Sequence, residues 1–125
     1  MDENALSHEI VGAAIEVHRH LGPGLLESAY EQCLARELAI REIPFERQKP
    51  IPVTYKGVAL DCGFRLDFLV GGLVVVEVKS VEGLTAVHDA QVLTYLKLTG
   101  SKLGILLNFN EQLMAKGIKR VVLNL

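Results

Sequence analysis

The sequence predicts an α/β or α+β sandwich in which helices flank one mixed β-sheet. Three features carry that expectation. Two stretches before Arg41 have helical spacing, the residues after Ile43 alternate like strands between prolines, and Leu103 to Asn108 is a nearly all-apolar run suited to a strand buried on both faces.

Residues Ala5 to His20 place Leu6, Ile10, Val11, Ala14, Ile15 and Val17 largely at helical spacing, with Ser7 near the start as the expected cap. Leu21-Gly22-Pro23-Gly24 ends this helix, because proline fixes φ and glycine permits the left-handed geometry common just past a helix end. A second helix is expected from about Leu25 to Arg41, with Leu26, Ala29, Tyr30, Cys33, Leu34, Leu38 and Ile40 mostly on one stripe. Pro44, Pro50 and Pro52 then argue against helix, and Val53, Tyr55, Val58 and Leu60 alternate with polar or small residues. Lys56-Gly57 marks a hairpin turn between a strand near Pro52 to Tyr55 and one starting at Val58. Strands follow at about Phe64 to Val70 and Leu73 to Ser80, joined across Gly71-Gly72. A third helix is expected at Ala86 to Leu98, closed by Gly100, then the strand Leu103 to Asn108, a helical turn at Glu111 to Lys116 and a last strand within Gly117 to Leu125.

The chain has 125 residues, half of them hydrophobic, which suits one core and a single domain over residues 1–125. The longest apolar run, Phe68 to Val76, is stopped by Glu77, well short of the roughly 18 residues of a membrane span. The start, Met-Asp-Glu-Asn, lacks the basic and apolar regions of a secretory signal, so the expected location is cytoplasmic. Cys33 and Cys62 are then expected to be reduced and structural, and the spacing of His18 and His20 gives no zinc pattern. With 13 basic and 15 acidic residues, the chain is not one that coats duplex nucleic acid through charge alone.

The strand from Leu73 runs apolar until Glu77-Val78-Lys79. Alternation puts Glu77 and Lys79 on one face and Val76 and Val78 on the other. The bland interpretation is a strand end emerging into solvent with a local ion pair. Asp67 in the preceding strand shifts the balance. A two-residue loop at Gly71-Gly72 would set it opposite Val76, whereas a three-residue loop, Gly71 to Leu73, sets it opposite Glu77. An odd-length loop or a bulge is therefore the condition for a shared site. Two facing carboxylates repel unless a cation lies between them, and oxygen donors suit Mg²⁺ or Mn²⁺, ions that also bind substrate phosphate. Lys79 could then orient or deprotonate a water and stabilise charge on phosphorus, which is the chemistry of phosphodiester hydrolysis.

Asp67 followed across a hairpin by Glu77-Val78-Lys79 resembles the PD-(D/E)XK nuclease superfamily, with Leu66 standing where the superfamily's name has proline. Gly24-Leu25-Leu26-Glu27-Ser28-Ala29-Tyr30 is similar to the motif of its GxxExxY branch, and Gln91-Val92-Leu93-Thr94-Tyr95 resembles the QxxxY motif of RecB-type and lambda-exonuclease-like members. The resemblance implies a restriction-endonuclease-like core, a metal-dependent nuclease acting on DNA more than RNA, and Mg²⁺ or Mn²⁺ held by Asp67, Glu77 and the Val78 carbonyl. It also implies that Glu27 approaches the metal as a ligand or water-orienting group. Gln91 and Tyr95, four apart on one helix face, would contact phosphate or orient the lysine. The bland alternative for Glu27 is a carboxylate favoured by the helix dipole, and for Tyr95 and Gln91 a core residue and its rim. Tyr30 shares the Glu27 face as a support, and His88 extends the Gln91 face as a weaker catalytic candidate. A competing hypothesis is a catalytically inactive nuclease-fold module that binds nucleic acid or a protein. In either case specificity would come from a homodimer or a partner protein. Hydrolysis of another phosphate ester is a third hypothesis.

Overall fold

The computed structural model describes residues 1–125. In chain order the elements are α1 (Glu3–Leu21), α2 (Glu27–Ile40), β1 (Phe45–Pro50), β2 (Val53–Tyr55), β3 (Val58–Leu60), β4 (Arg65–Val70), β5 (Val74–Lys79), α3 (Ala86–Thr99), β6 (Leu103–Asn108), a 3-10 turn (Met114–Gly117) and β7 (Ile118–Val122). Five strands form one sheet in the order β1-β4-β5-β6-β7. Only β5 and β6 run parallel, joined by the α3 crossover, while the other neighbours are antiparallel. Helices pack on both faces of this mixed sheet, the expected α/β architecture.

Helix α1 buries Leu6, Ile10, Ala13, Ala14 and Val17, and α2 buries Tyr30, Leu34 and Leu38. Both stripes pack on Phe68, Val70, Val74, Val76, Val78, Ile105 and Leu107 of the sheet. Truncating a member such as Ile10, which is fully buried, to alanine would cost about 2–5 kcal/mol. On the opposite face Val92, Tyr95 and Leu96 of α3 pack on Leu66, Leu69, Val75 and Leu106.

Several local details differ from the sequence expectation. The cap of α1 is Asp2, whose Oδ1 accepts the Ala5 N–H at 2.8 Å. Ser7 is instead buried within the helix and accepts a hydrogen bond from Arg120 Nη1 at 3.2 Å. Helix α2 begins at Glu27, not at Leu25, because Leu26 is extended, with φ −73° and ψ 152°, while the Leu25 N–H donates to the Tyr30 hydroxyl at 3.1 Å. Strand β1 precedes the expected hairpin as an additional edge strand, and its final Pro50 lies where no ladder donor is needed. His88 caps α3, with Nδ1 accepting the Thr85 N–H at 3.0 Å, and this hydrogen bond is a local explanation for a histidine at that position. The last strand stops at Val122, and the turn before it is 3-10 rather than α-helical. Cys33 is half-buried against the core, whereas Cys62 is exposed and supports no packing; both are free thiols. No helix is long and apolar enough to cross a membrane.

Candidate functional site

The site is built on the β4–β5 hairpin. Val70 pairs with Val74 and Phe68 with Val76, so the loop is the three residues Gly71 to Leu73. Gly71 and Gly72 take φ of 60° and 71°, the positive values that both central residues of a primed hairpin turn require. The Leu73 N–H closes that turn onto the Val70 carbonyl at 3.0 Å, leaving Leu73 as the extra residue. One further step along this register brings Asp67 opposite Glu77, and the two interlock. The Asp67 N–H donates to Glu77 Oε2 at 2.8 Å, and the Val78 N–H donates to Asp67 Oδ2 at 2.8 Å.

These hydrogen bonds replace strand–strand bonds where β4 is locally distorted. Leu66 and Leu69 share the α3-side core while Phe68 and Val70 face α1 and α2, so the alternation of side chains skips a step at Asp67. On the other flank β1 pairs Arg47 with Phe68 and Lys49 with Leu66, and the intervening Gln48 has φ of 49°. Its Nε2 donates to Glu31 Oε1 at 2.7 Å and lies 3.4 Å from Asp67 Oδ1. Each acid of the pair thus has one oxygen fixed by a backbone N–H, leaving Glu77 Oε1 and Asp67 Oδ1 outside those fixing bonds.

Glu77 is 3% exposed. Burial, followed by the neighbouring Asp67 charge, pushes its carboxyl up to about 8 despite the Asp67 N–H and the positive Lys79. Asp67 is also raised, first by burial; the Val78 N–H and Lys79 oppose the shift while Glu31 and Glu27 reinforce it. Lys79 lies on the Glu77 face at the strand end and enters none of the chain's ion pairs, so the local ion pair of the bland interpretation is not formed.

Glu27 lies in the first turn of α2, and its Oε1 accepts the Ser80 N–H at 3.3 Å. Ser80 also donates its hydroxyl to the Leu25 carbonyl at 2.7 Å, so the chain leaving Lys79 is tied to the start of α2 at two points. Tyr30 secures the other side of that loop. It stacks on Phe109 with ring centroids 4.6 Å apart, donates to the Gly22 carbonyl at 2.6 Å and accepts from Leu25 N. Gly24, within the same loop, has φ of 99°. These contacts give Gly24, Glu27 and Tyr30 distinct tasks in placing the helix against the strand end.

Gln91 and Tyr95 line one cavity of about 370 Å³ with Val53, Phe64, Thr94 and Leu98. Burial, followed by the charges of Glu77 and Asp67, raises the Tyr95 hydroxyl pKa. No hydrogen bond joins Gln91 or Tyr95 to Lys79 or either acid. Glu31 and Gln48 were not foreseen. Glu31 carried a signal, one helical turn after Glu27 on the same face, whereas Gln48 is brought in only by the pairing of β1 with β4.

No three His, Cys, Asp or Glu side chains cluster closely enough to form a metal cage. The donor set is two adjacent carboxylates, Glu77 buried and Asp67 half-buried, neither of which is ion-paired to a basic side chain. Two carboxylates fit Mg²⁺ or Mn²⁺, which keep several waters and need few protein oxygens, and they do not fit a closed zinc site. The Val78 carbonyl leaves the strand on the same side as its N–H, toward Asp67.

The chain belongs to the PD-(D/E)XK nuclease superfamily, whose family model matches residues 4–121. No curated protein and no solved structure matches it significantly.

Proposed function

We propose that this protein hydrolyses phosphodiester bonds of nucleic acid, DNA more than RNA, in a divalent-metal-dependent reaction and belongs to the GxxExxY branch of its superfamily. The observation that carries the proposal is the interlocked Asp67–Glu77 pair with an ion-pair-free lysine on the same face. Asp67 and Glu77, joined by the Val78 carbonyl, would hold Mg²⁺ or Mn²⁺, while Glu27, bonded to the Ser80 N–H, would stay outside that donor set. Such an ion would relieve the repulsion within the pair, withdraw charge from a phosphate oxygen and make a nearby water more acidic.

Lys79 would orient the attacking water through its ammonium donors and stabilise the charge that builds up on phosphorus. Glu27 would hold the Ser80 backbone and so the direction in which Lys79 leaves the strand. Gln91 and Tyr95 would position substrate from α3, and the cavity they share with Phe64 offers an aromatic wall to an unpaired base. The mildly acidic composition supports recognition by such local contacts and by a second copy or a partner protein rather than by a basic surface. The two free thiols are in keeping with a reducing cytoplasm.

The test is incubation of purified protein with labelled single- and double-stranded DNA and RNA in Mg²⁺, Mn²⁺ or chelator. Cleavage should require metal and fall at least ~100-fold in Asp67→Ala. Equal cleavage by wild type and Asp67→Ala would refute the proposal.

A further inference from the structure

A fully buried amide sits beside the strand end that carries Lys79. Asn108 closes β6 and is the register partner of Lys79 across the parallel β5–β6 pair. It is 0% exposed among neighbours Leu106, Leu107 and Phe109 that are all apolar and buried. A polar side chain there is costly unless every donor and acceptor is used, and here both ends of the amide are. Nδ2 donates to the Val81 carbonyl at 3.0 Å, while Oδ1 accepts the Val81 N–H at 3.1 Å and the Asn110 N–H at 3.3 Å. The side chain imitates one more residue of β-ladder after β5 has ended. Beside it the Phe109 N–H donates to the Lys79 carbonyl at 2.9 Å.

The segment Lys79-Ser80-Val81 is therefore held from two directions. Asn108 grips Val81 from the β6 side, and Glu27 and the Leu25 carbonyl grip Ser80 from the α2 side. Lys79 has a long, flexible side chain and no ion pair to orient it, so its reach toward the carboxylates is governed by the direction of its backbone. We propose that Asn108 is a positioning residue that fixes the backbone of Lys79 to Val81 and thereby directs the lysine at the Asp67–Glu77 pair. The catalytic part of this role rests on the phosphodiesterase function proposed above; the clamp itself does not.

The sharpest variant is Asn108→Leu, which keeps the approximate volume in an apolar setting and removes both contacts to Val81. Asn108→Ala, which also removes both contacts to Val81 without adding bulk, carries the same comparison should the leucine variant not fold. Two measurements are made on each. In substrate-free protein, amide hydrogen exchange at Ser80 and Val81 is followed by NMR together with the side-chain resonances of Lys79. With Mg²⁺ and a short labelled DNA, kcat and KM are measured separately.

Exchange at Val81 should accelerate at least ~10-fold while Val76, in the middle of β5, keeps its protection, and the Lys79 resonances should shift or broaden. The catalytic rate should fall ~10- to 100-fold with KM changed less than ~2-fold, since misdirection of one group by about 1 Å is enough for such a loss. Unchanged Val81 exchange and unchanged Lys79 resonances in a folded variant would overturn the clamp. Altered resonances with an undiminished kcat would overturn its role in directing the lysine. A wild-type protein that cleaves nothing would refute the phosphodiesterase proposal instead, with the clamp still decided by exchange and resonances.

Discussion

Replacing Glu77 by glutamine tests the electrostatics of the site without dismantling it. The amide oxygen can still accept the Asp67 N–H that Glu77 Oε2 accepts at 2.8 Å, so the change removes chiefly the charge. In the folded chain the Glu77 carboxyl titrates at about 8, against an ordinary 4.5. The folded-state value is the higher one, so without metal the stabilising contribution of the protonated form is complete below about 4.5 and lost as pH rises through about 8. At ~1.36 kcal/mol per unit, that interval sets a ceiling of about 5 kcal/mol. Between about pH 5.5 and about 8 the same slope allows about 3 kcal/mol, and relaxation of the buried site brings the expected difference to roughly 2–3 kcal/mol. For a chain of this length that is roughly 6–15 °C in melting temperature.

The assay is thermal or urea unfolding of wild type and Glu77→Gln in chelator at about pH 5.5 and about pH 9. The variant should gain on wild type by that amount between the two values. Adding Mg²⁺ at ~100 times its dissociation constant should then stabilise wild type by about 2.7 kcal/mol and the variant by much less. A difference between the proteins that stays flat from acid to alkali, with no selective response to Mg²⁺, would refute the reasoning.

Gly71→Ala should destabilise the fold by about 1–3 kcal/mol in urea unfolding, since a Cβ there would come within 2.7 Å of Leu6 Cδ1 at a φ of 60°. Tyr30→Phe keeps the stack on Phe109 but leaves the Gly22 carbonyl without its donor; it should lose about 1–3 kcal/mol and loosen the loop before α2, visible as faster amide exchange at Leu25. Phe64→Ala should raise KM for single-stranded substrate about 5- to 100-fold with kcat nearly unchanged, and equal effects on KM for single and double strands would remove the base-contact role assigned to the cavity.

The parts of this molecule legible in its sequence are those governed by local periodicity and turn chemistry. Leu6, Ile10, Ala14 and Val17 announced α1 because burial on one face needs helical spacing, and the paired glycines at 71 and 72 announced a hairpin whose register could be narrowed to two cases. The same logic fixed the face shared by Glu77 and Lys79. What escaped is set by tertiary partners. Phe45–Pro50 shows no alternation of exposure and is a strand only because β4 offers it an edge, so Gln48 was invisible as a neighbour of Asp67. Asn108 in the chain looks like the polar end of an apolar strand, and its meaning depends on Val81, 27 residues earlier. Ser7 and Asp2 were confused as caps because the apolar pattern starts at Leu6, a turn after the helix does.

The central claim, that Asp67 and Glu77 bind the metal while Lys79 acts on the reacting water, is tested most directly by one comparison. Mn²⁺ binding and DNA cleavage are measured on wild type and Lys79→Met in the same preparation conditions. Lys79→Met should bind one Mn²⁺ per chain at least as tightly as wild type, because a neighbouring positive charge is gone, while cleavage falls at least ~100-fold. Undiminished cleavage by Lys79→Met, or the absence of Mn²⁺ binding by the wild-type protein, would contradict it.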